Sequence, residues 1–196
     1  MSVWDIKALI HDGLFKMPPF RNIREGELNI FKHILSSMDL KGARILDIGC
    51  GTGTILSLYK NLPQEKENKL YGIDISQRMI KIAKEKNLDA EFVRANALTL
   101  PFKDESFNFV SMIGVLEYIK EKEILLKEIC RILKRDGKVL LSFSQKSILN
   151  LPRFMWGIRF YMYDEKEIIN HIENNGFEII DKRSGPLQTQ VLCQKN

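Results

Sequence analysis

Cysteine is scarce. Cys50, Cys130 and Cys193 stand singly among 196 residues, and no two form a C-x-x-C pair. That spacing leaves no zinc-ligand set and no disulfide frame, and it fits a reducing, cytoplasmic setting. No apolar run approaches the roughly 20 residues of a membrane-spanning helix. The opening MSVWDIKALIHD carries acids and lacks a basic region followed by an apolar block, so a secretory leader is not expected. Internal repeats and low-complexity stretches are missing too. Charge is not one-sided: 30 basic against 25 acidic residues leave a net +5, interspersed along amphipathic stretches as solvated surface. Nucleic acid binding is not implied by that balance. The length admits one full α/β core and is too short for two, so residues 1–196 are expected to form a single domain.

What is present is concentrated in RILDIGCGTG, residues 44–53. Ile45, Leu46 and Ile48 read as a buried parallel strand, whose two covered faces remove the need for alternation. Asp47 interrupts the run near its carboxyl end, and Gly49, Gly51 and Gly53 follow at every second position. Such a turn permits positive φ and close approach of a ligand to the backbone. Thr52 and Thr54 open a helical stretch, ILSLYKNL, so unpaired N–H groups and a positive dipole end meet at the strand tip. The arrangement suits a polar, adenosine-type ligand. The dinucleotide fingerprint G-x-G-x-x-G would need glycine at position 54, where Thr54 stands, and this weakens a nicotinamide-dependent reading. A second strand, KLYGIDIS, carries Asp74 about 20 residues beyond the turn, the distance at which a βαβ unit supplies an acid for ribose hydroxyls. Ser76 is the better cap for the helix that follows.

The acid-x-G-x-G-x-G pattern with its downstream acid resembles motif I of class I S-adenosylmethionine-dependent methyltransferases of the type 11 kind, and DIGCGTG is a typical form of it. The resemblance covers roughly residues 30–144 by motif, and the tail agrees in element order. It implies a Rossmann-like, doubly wound, seven-stranded sheet, mostly parallel with an antiparallel last strand and helices on both faces. It also implies S-adenosylmethionine as cofactor. Cofactor contacts then fall on Asp47, Gly49, Cys50, Gly51 and Gly53 of the turn, on Asp74 for the ribose, and on Ile75 against adenine, with Met79 nearby. In the loop NALTLPF, Asn96 stands where relatives often have aspartate; its amide oxygen accepts from adenine or steadies the loop, and the Ala97 N–H faces the ring. Ile113 and Gly114 fall where the family uses backbone groups to hold the methionine part. Relatives carry an acid at the position of Asn108.

Catalytic residues are not determined by the pattern; Glu117, Tyr118 and His11 are candidates, with His33 beside them. Glu117 reads either as a base or as a helix-start acid facing a dipole, and Tyr118 either contacts the acceptor or covers the cofactor. Residues 1–38 are expected to form a helical cap or lid. Within them a helix is expected from Asn22, capped by Asn22 and Glu25, to about Met38, with FKMPPF as a lid segment. The periodicity of KEILLKEICRILKRDG predicts a helix with Ile124, Leu125, Ile129, Ile132 and Leu133 inside and Cys130 buried, ended by a left-handed glycine at Gly137. A fifth strand, KVLLSFS, follows. Residues 145–163 are a variable insertion, rich in aromatic and basic side chains. They are an acceptor wall, a satellite apolar cluster, an oligomer contact, or a surface for membrane or nucleic acid. Asp164 with Glu167 caps a helix carrying a half-exposed His171, and FEIIDKR and QTQVLCQ pair as an antiparallel hairpin.

The expected reaction is methyl transfer to a small-molecule acceptor by in-line displacement, with alignment as the protein's main task. No N/D-P-P-aromatic sequence follows the fourth strand, which disfavours nucleobase amines, and no Pro-Cys pair is present for a cytosine adduct. A non-catalytic S-adenosylmethionine-binding regulator or assembly protein is the second reading, and a nicotinamide-dependent oxidoreductase the third.

Overall fold

The structure, a computed structural model, describes residues 4–5, 17–18, 20–60, 67–146 and 160–196. Among the described residues there are seven strands: β1 (Arg44–Ile48), β2 (Lys69–Asp74), β3 (Ala90–Arg94), β4 (Phe107–Met112), β5 (Leu133–Ser144), β6 (Phe177–Ser184) and β7 (Gln188–Lys195). They form one sheet in the order β3-β2-β1-β4-β5-β7-β6. The first five are parallel neighbours, and β7 runs antiparallel to both β5 and β6. This is the Rossmann-like, doubly wound sheet that the sequence predicts. Its order reverses at β1, between β2 and β4, and ligands in such sheets bind at the carboxyl ends beside that reversal.

Helices cover both faces. On one side lie α1 (Phe20–Ser36), α2 (Thr54–Tyr59) and α3 (Gln77–Glu85), which pack Phe31, Ile34, Leu56, Tyr59 and Ile80 against Ile45, Phe109 and Leu140 of the sheet. On the other, α4 (Lys122–Ile132) and α5 (Glu165–Asn174) pack Leu126, Ile129, Ile168 and Ile172 against Leu46, Val110 and Val139. Because β1 is buried on both faces, its residues are apolar almost without break, as a central parallel strand requires. Ser76 caps α3 as its sequence predicts, accepting from the Met79 N–H. Asp164 does the same for α5, accepting from the Lys166 N–H. His171 is half-exposed, 4.0 Å from Glu167.

Three local expectations are corrected. Helix α1 starts before Asn22, because the Arg21 N–H already donates to the Met17 carbonyl at 3.0 Å. Asn22 therefore lies inside the first turn and Glu25 pairs instead with Arg21. In α4, Ile124 faces solvent at 51 % exposure and Leu126 is buried in its place. The stripe is rotated because α5 packs against the neighbouring face of α4, a partner that periodicity cannot see. Cys130 is half-buried at the edge of that packing. Finally, α4 ends at Ile132 and β5 begins at once. Residues 134–137 bulge out between Leu133, paired with Phe107, and Lys138, paired with Phe109. The left-handed residue there is Asp136 (φ 60°), not Gly137; a methyl group on Gly137 would lie 2.8 Å from the Lys134 carbonyl, so close approach is its reason. Asn108, opposite the bulge, accepts from the Arg44 N–H at 3.0 Å and from Lys134 Nζ at 3.2 Å, joining the starts of β1 and β5.

Candidate cofactor and acceptor site

Gly49, Gly51 and Gly53 follow β1 with φ of 69°, 52° and 81°, a region that favours glycine. Their surroundings differ. A methyl group on Gly49 would stand 2.3 Å from Val115 Cγ2, so the loop after β4 already fills that space. On Gly53 it would meet Leu88 at 3.1 Å and Ala83 at 3.5 Å. On Gly51, among the described residues, it would meet nothing nearer than Met79 Sδ at 4.0 Å. Among those residues Gly51 alone of the three keeps an open approach; the other two serve packing.

Asp74 ends β2 beside this turn. Its Oδ2 accepts from the Gly51 N–H at 3.0 Å and its Oδ1 from the Ser76 N–H at 2.8 Å, which orients the carboxylate between the two loops. The next residue, Ile75, is 49 % exposed. An open glycine, an oriented carboxylate and a solvent-facing aliphatic side chain fit an adenosyl group: hydroxyls can donate to the acid, and an apolar ring can rest on the isoleucine.

Asp47 lies beneath the turn and is buried. Burial pushes its carboxyl up to about 7; the hydrogen bond from Ser111 Oγ, at 2.7 Å, opposes that shift and the Asp74 charge adds to it. The Cys50 N–H, two residues past the end of β1, donates to the Ile73 carbonyl at 2.9 Å, while its side chain turns into the core against Gly72. Burial drives that thiol far above its usual range, so it is inert as a nucleophile. Met79 is likewise buried, under the turn. Asn96 is exposed and its Oδ1 accepts from the Leu98 N–H at 3.0 Å, so the amide steadies its own loop. Ala97 is half-buried against the core. Ile113 is half-buried after β4, and the Gly114 N–H donates to Ser142 Oγ at 2.7 Å.

Glu117 sits in a separate turn of 3-10 helix, Leu116–Tyr118, and is fully buried. It lies in the first turn of that short helix, and α4 starts only at Lys122. Its Oε1 accepts from Gln188 Nε2 at 2.8 Å and from Ser144 Oγ at 3.2 Å. The Tyr161 N–H and the Tyr163 hydroxyl bond the carbonyls of the same turn and pin it. Tyr118 stands edge-on to Trp4, centroids 4.8 Å apart, and 5.7 Å from Phe160. His33 is on the exposed side of the last turn of α1, toward the amino end of β1. His11, half of the FKMPPF segment (Phe15, Lys16 and Pro19) and residues 147–159 of the insertion lie outside the described residues.

Several contacts had no sequence signal. Arg24 Nη2 donates to Thr54 Oγ1 at 2.8 Å and Lys86 Nζ to Thr52 Oγ1 at 3.2 Å, so a cation flanks each side of the glycine turn. Ser76 Oγ donates to Asp5 at 2.6 Å across 71 residues of chain. With Trp4 on Tyr118, this sets Trp4 and Asp5 beside the ends of the strands.

Residues 46–141 match the family described as Methyltransferase domain. The chain is 28 % identical over 183 residues to a ubiquinone/menaquinone biosynthesis C-methyltransferase of Campylobacter jejuni, covering 78 % of each chain. A solved S-adenosylmethionine-dependent methyltransferase of Methanosarcina mazei aligns with a TM-score of 0.68 at 26 % identity, over 83 % of this chain and 96 % of that one. The magnesium protoporphyrin IX methyltransferase of Synechocystis, solved with bound SAH, shares the fold with a TM-score of 0.74 at 20 % identity, over 92 % of this chain and 88 % of that one. Family match and turn spacing agree in favouring S-adenosylmethionine over a nicotinamide cofactor. The chain belongs to the class I S-adenosylmethionine-dependent methyltransferases, and it is a transferase that draws its methyl group from that cofactor.

Proposed function

We propose that this enzyme methylates a small, ring-bearing and largely apolar acceptor of the quinol class. The observation that carries this reading is the pairing of an aromatic group (Trp4, Tyr118 and Phe160) with the buried carboxylate of Glu117 just beyond Gly114. Aromatic faces suit a planar ring, and one oriented acid suits its hydroxyl. The quinone-pathway name of the Campylobacter relative points the same way.

The bound cofactor supplies an activated methyl on a sulfonium. Asp74 holds the ribose hydroxyls, and Ile75 carries the adenine ring. The open side of Gly51, with Ile113 and Gly114, receives the methionine part, and Arg24 and Lys86 supply positive charge toward its carboxylate. Asp47, Gly49, Cys50, Gly53 and Met79 hold the turn from beneath, and Asn96 and Ala97 shape the adenine side. Glu117 takes the proton of the acceptor hydroxyl, which enriches the ring carbon as a nucleophile. Residues 1–196 act as one domain, with 1–38 as a cap. The Asp5–Ser76 and Trp4–Tyr118 contacts support that cap.

The test supplies the enzyme with isotopically methyl-labelled cofactor and, separately, a reduced demethylmenaquinone analogue and a hydrophilic primary amine. Mass spectrometry should find the label on a ring carbon of the quinol, and Glu117→Gln should lower that turnover by on the order of a hundredfold. Label on the amine and none on the quinol would overturn the acceptor class.

A further inference from the structure

A chain of hydrogen bonds with a single direction joins the two sides of the proposed site. The Gly114 N–H donates to Ser142 Oγ at 2.7 Å, Ser142 Oγ donates to Gln188 Oε1 at 3.1 Å, and Gln188 Nε2 donates to Glu117 Oε1 at 2.8 Å. Ser142 and Glu117 are fully buried and Gln188 is 8 % exposed, so water does not compete for these bonds. The amide is locked in one orientation. Turned over, it would set its oxygen against the Glu117 carboxylate and a donor against a hydroxyl that has its own proton to place.

The position of Gln188 is set independently from the far side. It is the first residue of β7, opposite Ser144 of β5. Its own N–H and that of Leu187 donate to Glu27 Oε1 of α1, at 3.1 and 2.9 Å. Gly114 lies against it closely enough that a methyl group there would be 3.4 Å from Gln188 Nε2.

We propose that Gln188 is a positioning residue that couples the acceptor-side carboxylate of Glu117 to the cofactor-side backbone at Gly114. The inference rests on the proposed function for the assignment of those two sides. Through Gln188, a change at Glu117 alters the hydrogen bonding of Ser142 and hence the backbone that holds the cofactor. By reciprocity, cofactor binding is then felt at the acceptor side.

The experiment uses the full chain and two readouts: the amide resonance of Gly114 without ligand, and the affinity for S-adenosylhomocysteine by calorimetry. Each is compared between the native chain and Glu117→Gln, and again with both in a Gln188→Met background. In the native background, Glu117→Gln should shift the Gly114 amide and weaken S-adenosylhomocysteine by about three- to tenfold, the worth of one net hydrogen bond. In the Gln188→Met background the same substitution should change affinity by less than about twofold, since uncoupled sites add. Should Gln188→Met fail to fold, Ser142→Ala cuts the neighbouring link and predicts the same loss of coupling. An unmoved Gly114 amide, or a shift that survives undiminished in both cut backgrounds, overturns the proposal. A shifted amide with unchanged affinity upholds the relay and refutes instead the assignment of Gly114 to the cofactor, which separates the two readings.

Discussion

Alanine at Gly49 and at Gly51 should damage the enzyme in different ways, although both glycines belong to one motif. Each has positive φ, so a Cβ costs about 1 kcal/mol at either position. At Gly49 the new methyl would also lie 2.3 Å from Val115 Cγ2, far inside the usual contact of roughly 3.5–4.0 Å. Relieving that overlap by shifting the β4 loop costs about 1–3 kcal/mol more. Gly49→Ala should therefore lose roughly 2–4 kcal/mol of stability, and Gly51→Ala only about 1 kcal/mol. Val115→Ala removes both offending carbons and leaves Cβ at 3.3 Å, so the double variant Gly49→Ala, Val115→Ala should regain most of the steric part. At Gly51 the methyl instead enters the open approach, and affinity for S-adenosylhomocysteine should fall by at least about tenfold, or 1.4 kcal/mol. Urea unfolding and calorimetry on the four chains give both quantities. Equal stability losses at the two glycines, or no recovery with Val115→Ala, would refute the division of the turn into packing and ligand faces.

Two further outcomes follow from burial. Asp47 keeps its proton to about pH 7 when folded, against an ordinary 3.8 once exposed. Between those values the folded chain binds more protons than the unfolded one, so this group's contribution to stability is full below the lower value and is lost as pH rises toward 7. The urea midpoint of Asp47→Asn should lack that part of the pH dependence, and parallel curves for the two chains would rule out a buried, protonated Asp47. On α4, Leu126→Ala should cost about 2–5 kcal/mol, while Ile124→Lys should stay within about 0.5 kcal/mol of the native chain; the reverse ranking in thermal melts would show that the helix is rotated from its described position.

Legibility followed the range of the determining contacts. The Ser76 cap, the Asp164 cap and the hairpin around Gly185-Pro186 each depend on residues within a few positions, and each was readable. Asn22 and Gly137 failed although their logic was also local, because the chain takes other hydrogen bonds at the helix entry by Met17 and at the bulge opposite Asn108. Ile124 failed for a tertiary reason, since α5 chooses which neighbouring stripe of α4 is covered. Among the candidate site residues, Asp74 stands at the strand end that its spacing suggested, and Ile75, which the resemblance implied, follows it. Glu117 read as a base or a helix-start acid, and neither reading carried its full burial.

By itself, the sequence determined the β1 strand, its glycine turn, the acid at the end of β2, and through them the family and its cofactor. Alternation, helical period and turn chemistry act between near neighbours, and so they are written in the order of residues. Tertiary structure decided which glycine opens outward, what surrounds Glu117, and which groups Gln188 joins. Those contacts span 28 to 71 residues, and they exist only because the strand order sets the ends of β4 and β5 beside the start of an antiparallel β7.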